Sequence, residues 1–282
     1  TRRVPRTGHL KLKSSHGSVS MPHNGITIKS PGEIKLMREA GQIVASAKAA
    51  VQKIIEPGIE TRELDEVAER EIRGLGAVPS FKGYRAVAPV PFPATICTSI
   101  NEELVHGIPG NRKLKAGDII SVDVGAIYEG LHGDSAFTAG VGDIDPEAER
   151  LIDATRESLN RGIAKVRAGA RIGDISVAVQ TFAEKQGYAV VTQYVGHGIG
   201  FEMHEDPQVP NYGEAGRGPL IRKGMALAIE PMLNVGTRDT KQLDDGWTVV
   251  TADGSLCAHF EHTVVITERG AEVTTRLNGS EA

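Results

Sequence analysis

Apolar residues recur at helical spacing in the stretch that follows Ser30. Ser30 can cap a helix, Pro31 suits its first position, and Glu33 completes a capping box. The apolar stripe then consists of Ile34, Met37, Gly41, Val44, Ala47, Val51 and Ile54. A second helix is predicted from about Thr61, so this part of the chain forms a helix pair.

A similar helix pair is predicted further along the chain. Asp145 can cap its first helix, and the second helix ends near Gly187. One constant shift of the sequence places Gly58 on Gly169 and also Gly76 on Gly187. The shared spacing indicates that the two helix pairs are related by an internal repeat.

Two strand-like segments repeat as well. Residues 115–123 resemble residues 222–230, and the segments end on Asp123 and Glu230 at equivalent distances after a glycine. Alternation along a strand places each carboxylate on a face with small side chains. The two halves would therefore each bring one acid to a shared central site.

Four carboxylates and one histidine stand out as candidate chemistry: Asp123, Asp134, His197, Glu230 and Glu261. Burying an unpaired carboxylate is costly, and neighbouring carboxylates repel each other, whereas a divalent cation removes both costs. Such a hard, oxygen-rich set suits Mn²⁺, Fe²⁺ or Co²⁺, and two ions can share bridging carboxylates. The alternative for Asp123 is an edge strand whose acid lies in water.

Three histidines have a functional and a plain structural interpretation. His197 lies between two glycines, which let the backbone approach closely. His204 follows seven residues later. It could be a metal ligand, or it could donate a hydrogen bond to one of the ligands. His106 precedes a glycine and could equally be an ordinary histidine of a surface loop.

The amino-acid composition limits the classes of protein to which this chain can belong. The 282 residues are 40% hydrophobic and 24% charged, which is typical of a globular protein, and no apolar run reaches the ~20 residues of a membrane span. A net charge of −4 gives no global case for nucleic-acid binding. Two cysteines exclude a disulfide framework and a four-cysteine zinc site, and they fit a reducing, cytoplasmic location.

Three segments are predicted. Residues 1–29 form a basic, flexible extension without the apolar region of a signal peptide. Residues 30–277 form the folded domain, and residues 278–282 form a tail.

Six motifs carry a family resemblance: SINEELVHGIPG, GDIISVDVGAIYEGLHGDSAFT, YVGHGIGFEMHEDPQV, AIEPML, DGWTVVT and FEHTVVIT. Together they resemble the type I methionine aminopeptidases of the bacterial or organellar kind, over Ile28 to Leu277. The resemblance implies an α+β pita-bread fold, in which a pseudo-twofold repeat of helix pairs packs on a curved, mostly antiparallel sheet. It also implies removal of the initiator methionine from nascent polypeptides whose second residue is small.

The resemblance assigns roles to the candidate residues. Two divalent ions (Co, Mn or Fe, with Zn or Ni as further options) would be held by Asp123, Asp134, His197, Glu230 and Glu261. Catalysis would involve His106, His204 and Glu230, with Glu230 moving a proton. The substrate pocket would contain Tyr84, Phe92, Cys97, Met203 and Trp247 together with His106 and His204. Met203 stands where the family usually has Phe.

The resemblance also bears on specificity and partners. The loop from Arg85 to Pro91 is longer than in the family, and its usual histidine is not identifiable here. The expected partners are nascent polypeptide N-termini, with ribosome association through the basic extension, no membrane and no specific nucleic acid. The enzyme is expected to be a cytoplasmic monomer.

Three other interpretations remain open at this point. A prolidase or aminopeptidase P shares the metal frame but usually carries a long N-terminal domain. A binding protein with an inactive site on the same fold predicts broken ligands, whereas all five candidates are present. A nucleic-acid role rests only on the basic extension. Cleavage of Met-Ala against Ala-Pro peptides separates the two enzymes, and metal content separates enzyme from binding protein.

Overall fold

The computed structural model describes residues 25–85 and 90–278. These residues contain four helices and fifteen strands, joined by turns and loops. The helices are α1 (Pro31–Gln52), α2 (Thr61–Gly74), α3 (Pro146–Ile163) and α4 (Ile172–Lys185). The strands are β1 (Val78–Pro79), β2 (Ile96–Ile100), β3 (Glu103–Val105), β4 (Ile119–Tyr128), β5 (Leu131–Gly140), β6 (Ala189–Val190), β7 (Gly196–Gly198), β8 (Glu205–Val209), β9 (Ala226–Ile229), β10 (Met232–Asn234), β11 (Thr240–Gln242), β12 (Val249–Thr251), β13 (Cys257–His259), β14 (His262–Thr267) and β15 (Gly270–Val273). Three parts of the predicted organisation lie outside the described residues. They are residues 1–24 of the extension, residues 86–89 in the predicted long loop, and residues 279–282 of the tail.

Side-chain caps begin the helices where the sequence predicts them. The Glu33 N–H donates to Ser30 Oγ at 3.3 Å, and the Ser30 N–H donates to the Glu33 carboxylate at 2.6 Å. Asp145 caps α3 by accepting from the Glu147 N–H. The apolar stripe of α1 packs on β4 and β5. The cap therefore sets the first residue of a helix that covers this sheet. Within the described ranges, no helix is both long enough and apolar enough to cross a bilayer.

The internal repeat is visible in equivalent backbone hydrogen bonds. The Gly58 N–H donates to the Leu114 carbonyl at 2.8 Å, where the end of the first helix meets the chain that leads into β4. In the second half, the Gly169 N–H donates to the Ile221 carbonyl at 3.0 Å, just before β9. The predicted repeat of helix pairs and acid-bearing strands is therefore confirmed at the level of the backbone.

Within the described residues, the strands pair antiparallel and form four sheets. One sheet has β4 at its centre, paired with β1 and β2 on one side and with β5 on the other. A five-stranded sheet has the order β15-β14-β9-β7-β8. The main hydrophobic core contains side chains from all four helices and from strands of both sheets.

Residues 25–29 belong to the folded part, although the sequence places them in the extension. The Lys29 N–H donates to the Gly224 carbonyl at 2.7 Å, and Lys29 forms a buried ion pair with Glu205 at 2.5 Å. Ile26 and Ile28 pack against the main core. The boundary therefore lies earlier than residue 29, because the anchoring partners are distant in sequence and give no local pattern.

Candidate active site

Every site residue expected from the sequence lines one cavity of about 310 Å³. The carboxylates and His197 share it with the aromatic and sulfur-containing side chains of the expected substrate pocket. Residues spread over the two halves of the repeat thus meet at one place, as the shared-centre hypothesis requires.

The antiparallel register brings the four acids together. Asp123 lies on β4, and Asp134 lies on the neighbouring β5 opposite Gly125. Because β4 is paired on both sides, the edge-strand alternative for Asp123 is wrong. In the second half, Glu230 directly follows β9 and Glu261 directly precedes β14, the strand that pairs with β9.

The glycines beside His197 have a steric cause. A Cβ at position 196 would lie 2.4 Å from the Ala228 carbonyl oxygen, and a Cβ at position 198 would lie 2.2 Å from the Asp206 carbonyl oxygen. Only glycine therefore lets β7 fit between β8 and β9, and this places His197 at the cavity.

A hydrogen bond to the backbone fixes the tautomer of His197 in a form that can bind a metal ion. Nδ1–H donates to the Gly198 carbonyl at 2.8 Å, so the lone pair is on Nε2, which lies 3.6 Å from Glu230 Oε1. Burial lowers the pKa of His197 to about 3, so the imidazole is neutral. A neutral imidazole with a fixed tautomer is the form that binds a metal ion.

Unpaired oxygens indicate that a cation fits this cluster. Asp123 Oδ1, Asp134 Oδ1 and Glu261 Oε1 are buried, and none of them has a hydrogen-bond partner among the described residues. One ligand atom each from Asp134, His197 and Glu261 lies within 4.8 Å of the others. Buried polar atoms almost always find partners, so this arrangement of oxygens suits a divalent cation.

Burial and mutual repulsion raise the pKa values of the carboxyl groups in this cluster. Burial raises the pKa of Asp134 well above its usual value, and the nearby Glu261 and Asp123 raise it further. Burial and neighbouring carboxylates also raise the pKa of Glu230 and of Glu261, and burial raises that of Asp123 to about 6. In the metal-free protein, these carboxyl groups therefore keep their protons to higher pH than ordinary carboxyl groups do.

Metal binding is expected to release protons and to strengthen as pH rises through about 6, the pKa of Asp123 in the metal-free protein. Because their pKa values are raised, these acids hold more protons at a given pH than ordinary carboxyl groups would. A cation has to displace those protons when it binds. Calorimetric titration in two buffers with different ionisation heats measures the number released. The same binding heat in both buffers, with affinity independent of pH, would contradict these raised pKa values.

The pocket beside the cluster is apolar. Phe81, Phe92, Cys97, Met203 and Trp247 are buried together in one hydrophobic cluster. The rings of Phe92 and Trp247 meet edge to face with their centroids 5.2 Å apart, and the Trp247 Nε1–H donates to the Val90 carbonyl. Aromatic rings and sulfur atoms give this slot an environment suited to a long, flexible, apolar side chain.

Two further histidines face the same cavity. The His204 ring centroid lies 4.3 Å from that of His197, and its Nδ1 is hydrogen-bonded to the Tyr84 hydroxyl. His106 has a left-handed backbone with φ of 61° and packs edge to face against Trp247. Burial lowers the pKa of His106 to about 4, so it is not an ordinary solvated histidine of a surface loop.

Some residues around the site were not predicted. Phe81, Tyr194 and His259 also line the cavity. Lys48 on α1 donates to Ser135 Oγ at 2.5 Å, and Ser135 Oγ donates to the Glu261 carbonyl. A signal for Lys48 existed, because it interrupts the apolar stripe between Val44 and Val51. His259 lies two residues before Glu261, but nothing local showed which way it faces.

Comparison with known proteins agrees with this geometry. The model of metallopeptidase family M24 matches residues 35–268. Methionine aminopeptidase 1 of Bacillus subtilis is 53% identical over 252 residues, which cover 89% of this chain and 100% of the relative. The crystal structure of a methionine aminopeptidase from Thermotoga maritima has a TM-score of 0.86 and 48% identity, and the alignment covers 89% of this chain and 99% of that chain.

A more distant match supports the fold alone. An Xaa-Pro dipeptidase from Bacillus anthracis is 24% identical with a TM-score of 0.70, and the alignment covers 90% of this chain but 63% of that chain. The pita-bread fold expected from the resemblance is thereby confirmed. The convergent carboxylates, the neutral imidazole and these similarities together place the chain in metallopeptidase family M24, among its methionine aminopeptidases.

Proposed function

We propose that this protein removes the N-terminal methionine from polypeptides whose second residue is small, by hydrolysis at a centre of two divalent cations. The observation that carries the proposal is the single cavity in which an acid–imidazole cluster adjoins an apolar slot. The cluster suits metal-dependent hydrolysis, and the slot suits a methionine side chain. An inactive binding protein is disfavoured, since all five expected ligands line the cavity.

The proposed metal ligands are Asp123, Asp134, His197, Glu230 and Glu261. Asp123 would hold one cation, His197 and Glu230 would hold the other, and Asp134 and Glu261 would bridge them. Divalent cations held there would polarise the scissile carbonyl, lower the pKa of water and bind the free N-terminal amine of the substrate. The ions would be Mn, Fe or Co, with Zn or Ni as further options.

Three side chains have proposed roles around the reacting bond. The Glu230 carboxylate accepts a proton from water and passes it to the leaving amine. In our assignment the Tyr84 hydroxyl donates to His204 Nδ1, so that His204 Nε2–H points away from Tyr84 and donates to the developing oxyanion. His106, which packs edge to face against Trp247, would contact the substrate from the opposite side.

The slot formed by Tyr84, Phe92, Cys97, Met203 and Trp247 would bind the methionine side chain. A hydrophobic slot discriminates by only ~1–3 kcal/mol per methylene, so leucine at the first position should be disfavoured without being fully rejected. A charged first residue should fail, because the described side chains of the hydrophobic cluster offer it no partner.

A peptide series Met-Xaa-Ala, with Xaa running through Gly, Ala, Ser, Val, Leu and Lys, tests the proposal. Release of methionine is expected to be fast for Gly, Ala and Ser and to fall steeply for Leu and Lys. The matched control is Ala-Pro-Ala, the substrate type of a proline-specific relative, which should not be cut. Equal rates for Met-Leu and Met-Ala would show a broad aminopeptidase, and preferential cleavage of Ala-Pro would show a prolidase-like enzyme.

The proposed substrates are the N-termini of nascent polypeptides, reached in the cytoplasm by a monomeric enzyme. Basic residues in the segment 1–20 would favour docking on ribosomal RNA, where nascent chains emerge, and such docking weakens steeply with salt.

A further inference from the structure

His259 is a buried imidazole that the five-ligand assignment does not use. It ends β13, is 2% exposed and lines the active-site cavity. Its backbone is fixed on two sides, because β13 pairs with β10 and the His259 N–H donates to Thr138 Oγ1 at 3.0 Å. Its side-chain Nε2 is buried and has no hydrogen-bond partner within residues 25–85 and 90–278.

The surroundings of this nitrogen mirror those of His197. His259 Nε2 lies 3.7 Å from Glu230 Oε2, and His197 Nε2 lies 3.6 Å from Glu230 Oε1. His259 Nε2 also lies 4.0 Å from Glu261 Oε2. The Glu230 carboxylate thus has an imidazole nitrogen beside each of its two oxygens.

These separations fit neither a direct hydrogen bond nor a bridging water. An N–H···O bond joins atoms about 2.7–3.2 Å apart, and a water that bridges two groups at tetrahedral angles holds them roughly 4.5 Å apart. Two ligands of one transition-metal ion, each about 2.0–2.2 Å from it, lie up to about 4 Å apart. The distances around His259 are therefore those of donors that share a cation.

We propose that His259 is a second imidazole ligand of the divalent metal centre, on the other side of Glu230 from His197. This inference rests on the metal centre of the proposed function but not on its substrate. A second nitrogen ligand shifts the preference of the centre from Mn²⁺ toward Fe²⁺, Co²⁺, Ni²⁺ or Zn²⁺.

Proton NMR of the Co²⁺-loaded protein tests the assignment directly. Each imidazole bound to paramagnetic Co²⁺ gives its own strongly shifted, solvent-exchangeable N–H resonance. His259→Gln is expected to lack one such resonance that the unaltered protein shows, as His197→Gln should also lack one. His106→Gln, which changes another imidazole of the same cavity, should keep them all.

Two further measurements support the spectra. Calorimetric titration should show that His259→Gln weakens Co²⁺ binding by about tenfold or more, and weakens Mn²⁺ binding less. X-ray absorption of the unaltered Co²⁺-loaded protein counts its bound imidazoles, so it remains informative if the variant does not fold.

A single bound imidazole, or an unchanged set of shifted resonances in His259→Gln, would overturn the proposal. Neither readout depends on peptide turnover. A failure of the methionine-release experiment would therefore leave the result for His259 standing, and the reverse also holds.

Discussion

Replacing Asp134 with Asn, or Glu261 with Gln, is expected to abolish peptide hydrolysis while the fold stays intact. Both carboxylates are buried, and each has one oxygen that finds no hydrogen-bond partner in the part of the chain that the structure describes. A neutral amide keeps the shape of the side chain but removes the charge that holds two cations close together. A loss of about a thousandfold or more, equivalent to roughly 4 kcal/mol of transition-state stabilisation, is expected.

The fold should survive these changes because the local backbone is held without the carboxylates. The Asp134 N–H donates to Thr263 Oγ1, Thr263 Oγ1 donates to the Asp134 carbonyl, and the Glu261 N–H donates to the Ala136 carbonyl. Removing one of several repelling acids should leave the melting temperature of the metal-free protein equal to or above that of the unaltered protein. Rates are compared at matched metal loading, with the exposed Asp143→Asn as control. A near-normal rate in either amide variant would contradict the bridging assignment.

Replacing His204 with Ala is expected to lower kcat by about 10²–10³ and to leave metal binding nearly unchanged. His204 lies beside His197, and its Nδ1 is hydrogen-bonded to the Tyr84 hydroxyl. Its proposed role is to donate a hydrogen bond to the developing oxyanion, and loss of one such donor has a cost of this size. Tyr84→Phe should have a smaller effect in the same direction, because it removes only the hydrogen bond that sets the tautomer of His204.

Steady-state kinetics and calorimetric metal titration on the same preparations measure both quantities. A His204→Ala variant whose metal affinity collapses together with its rate would show that His204 is a ligand. A variant with unchanged kcat would show that it has no part in the reaction.

Local patterns in the sequence predict the helices and the repeat because their causes are local. The capping box of Ser30 and Glu33 is satisfied within four residues, and the Asp145 cap within three. The repeat follows from glycines and acids at constant spacing, and the backbone hydrogen bonds of Gly58 and Gly169 confirm it. The convergence of the acid-bearing strands follows from that symmetry.

Other features depend on contacts between distant segments, which local patterns do not contain. Lys29 belongs to the domain because Glu205 pairs with it across the fold. The orientation of His259 depends on the pairing of β13 with β10, and that of Lys48 on the approach of α1 to Ser135. The metal-ligand and substrate roles stay predictions, since they rest on the family resemblance and on the shared cavity.

Metal-stripped protein, mixed with the peptide Met-Ala-Ser and titrated with Mn²⁺, Fe²⁺ or Co²⁺, gives the most direct test of metal-dependent methionine removal. Without added metal, no free methionine is expected, and its release should then rise with metal up to a plateau. N-acetyl-Met-Ala-Ser should remain uncut throughout, because the cations would hold the free amine. Undiminished methionine release by the stripped protein in the presence of a chelator, or cleavage of the acetylated peptide, would contradict this mechanism.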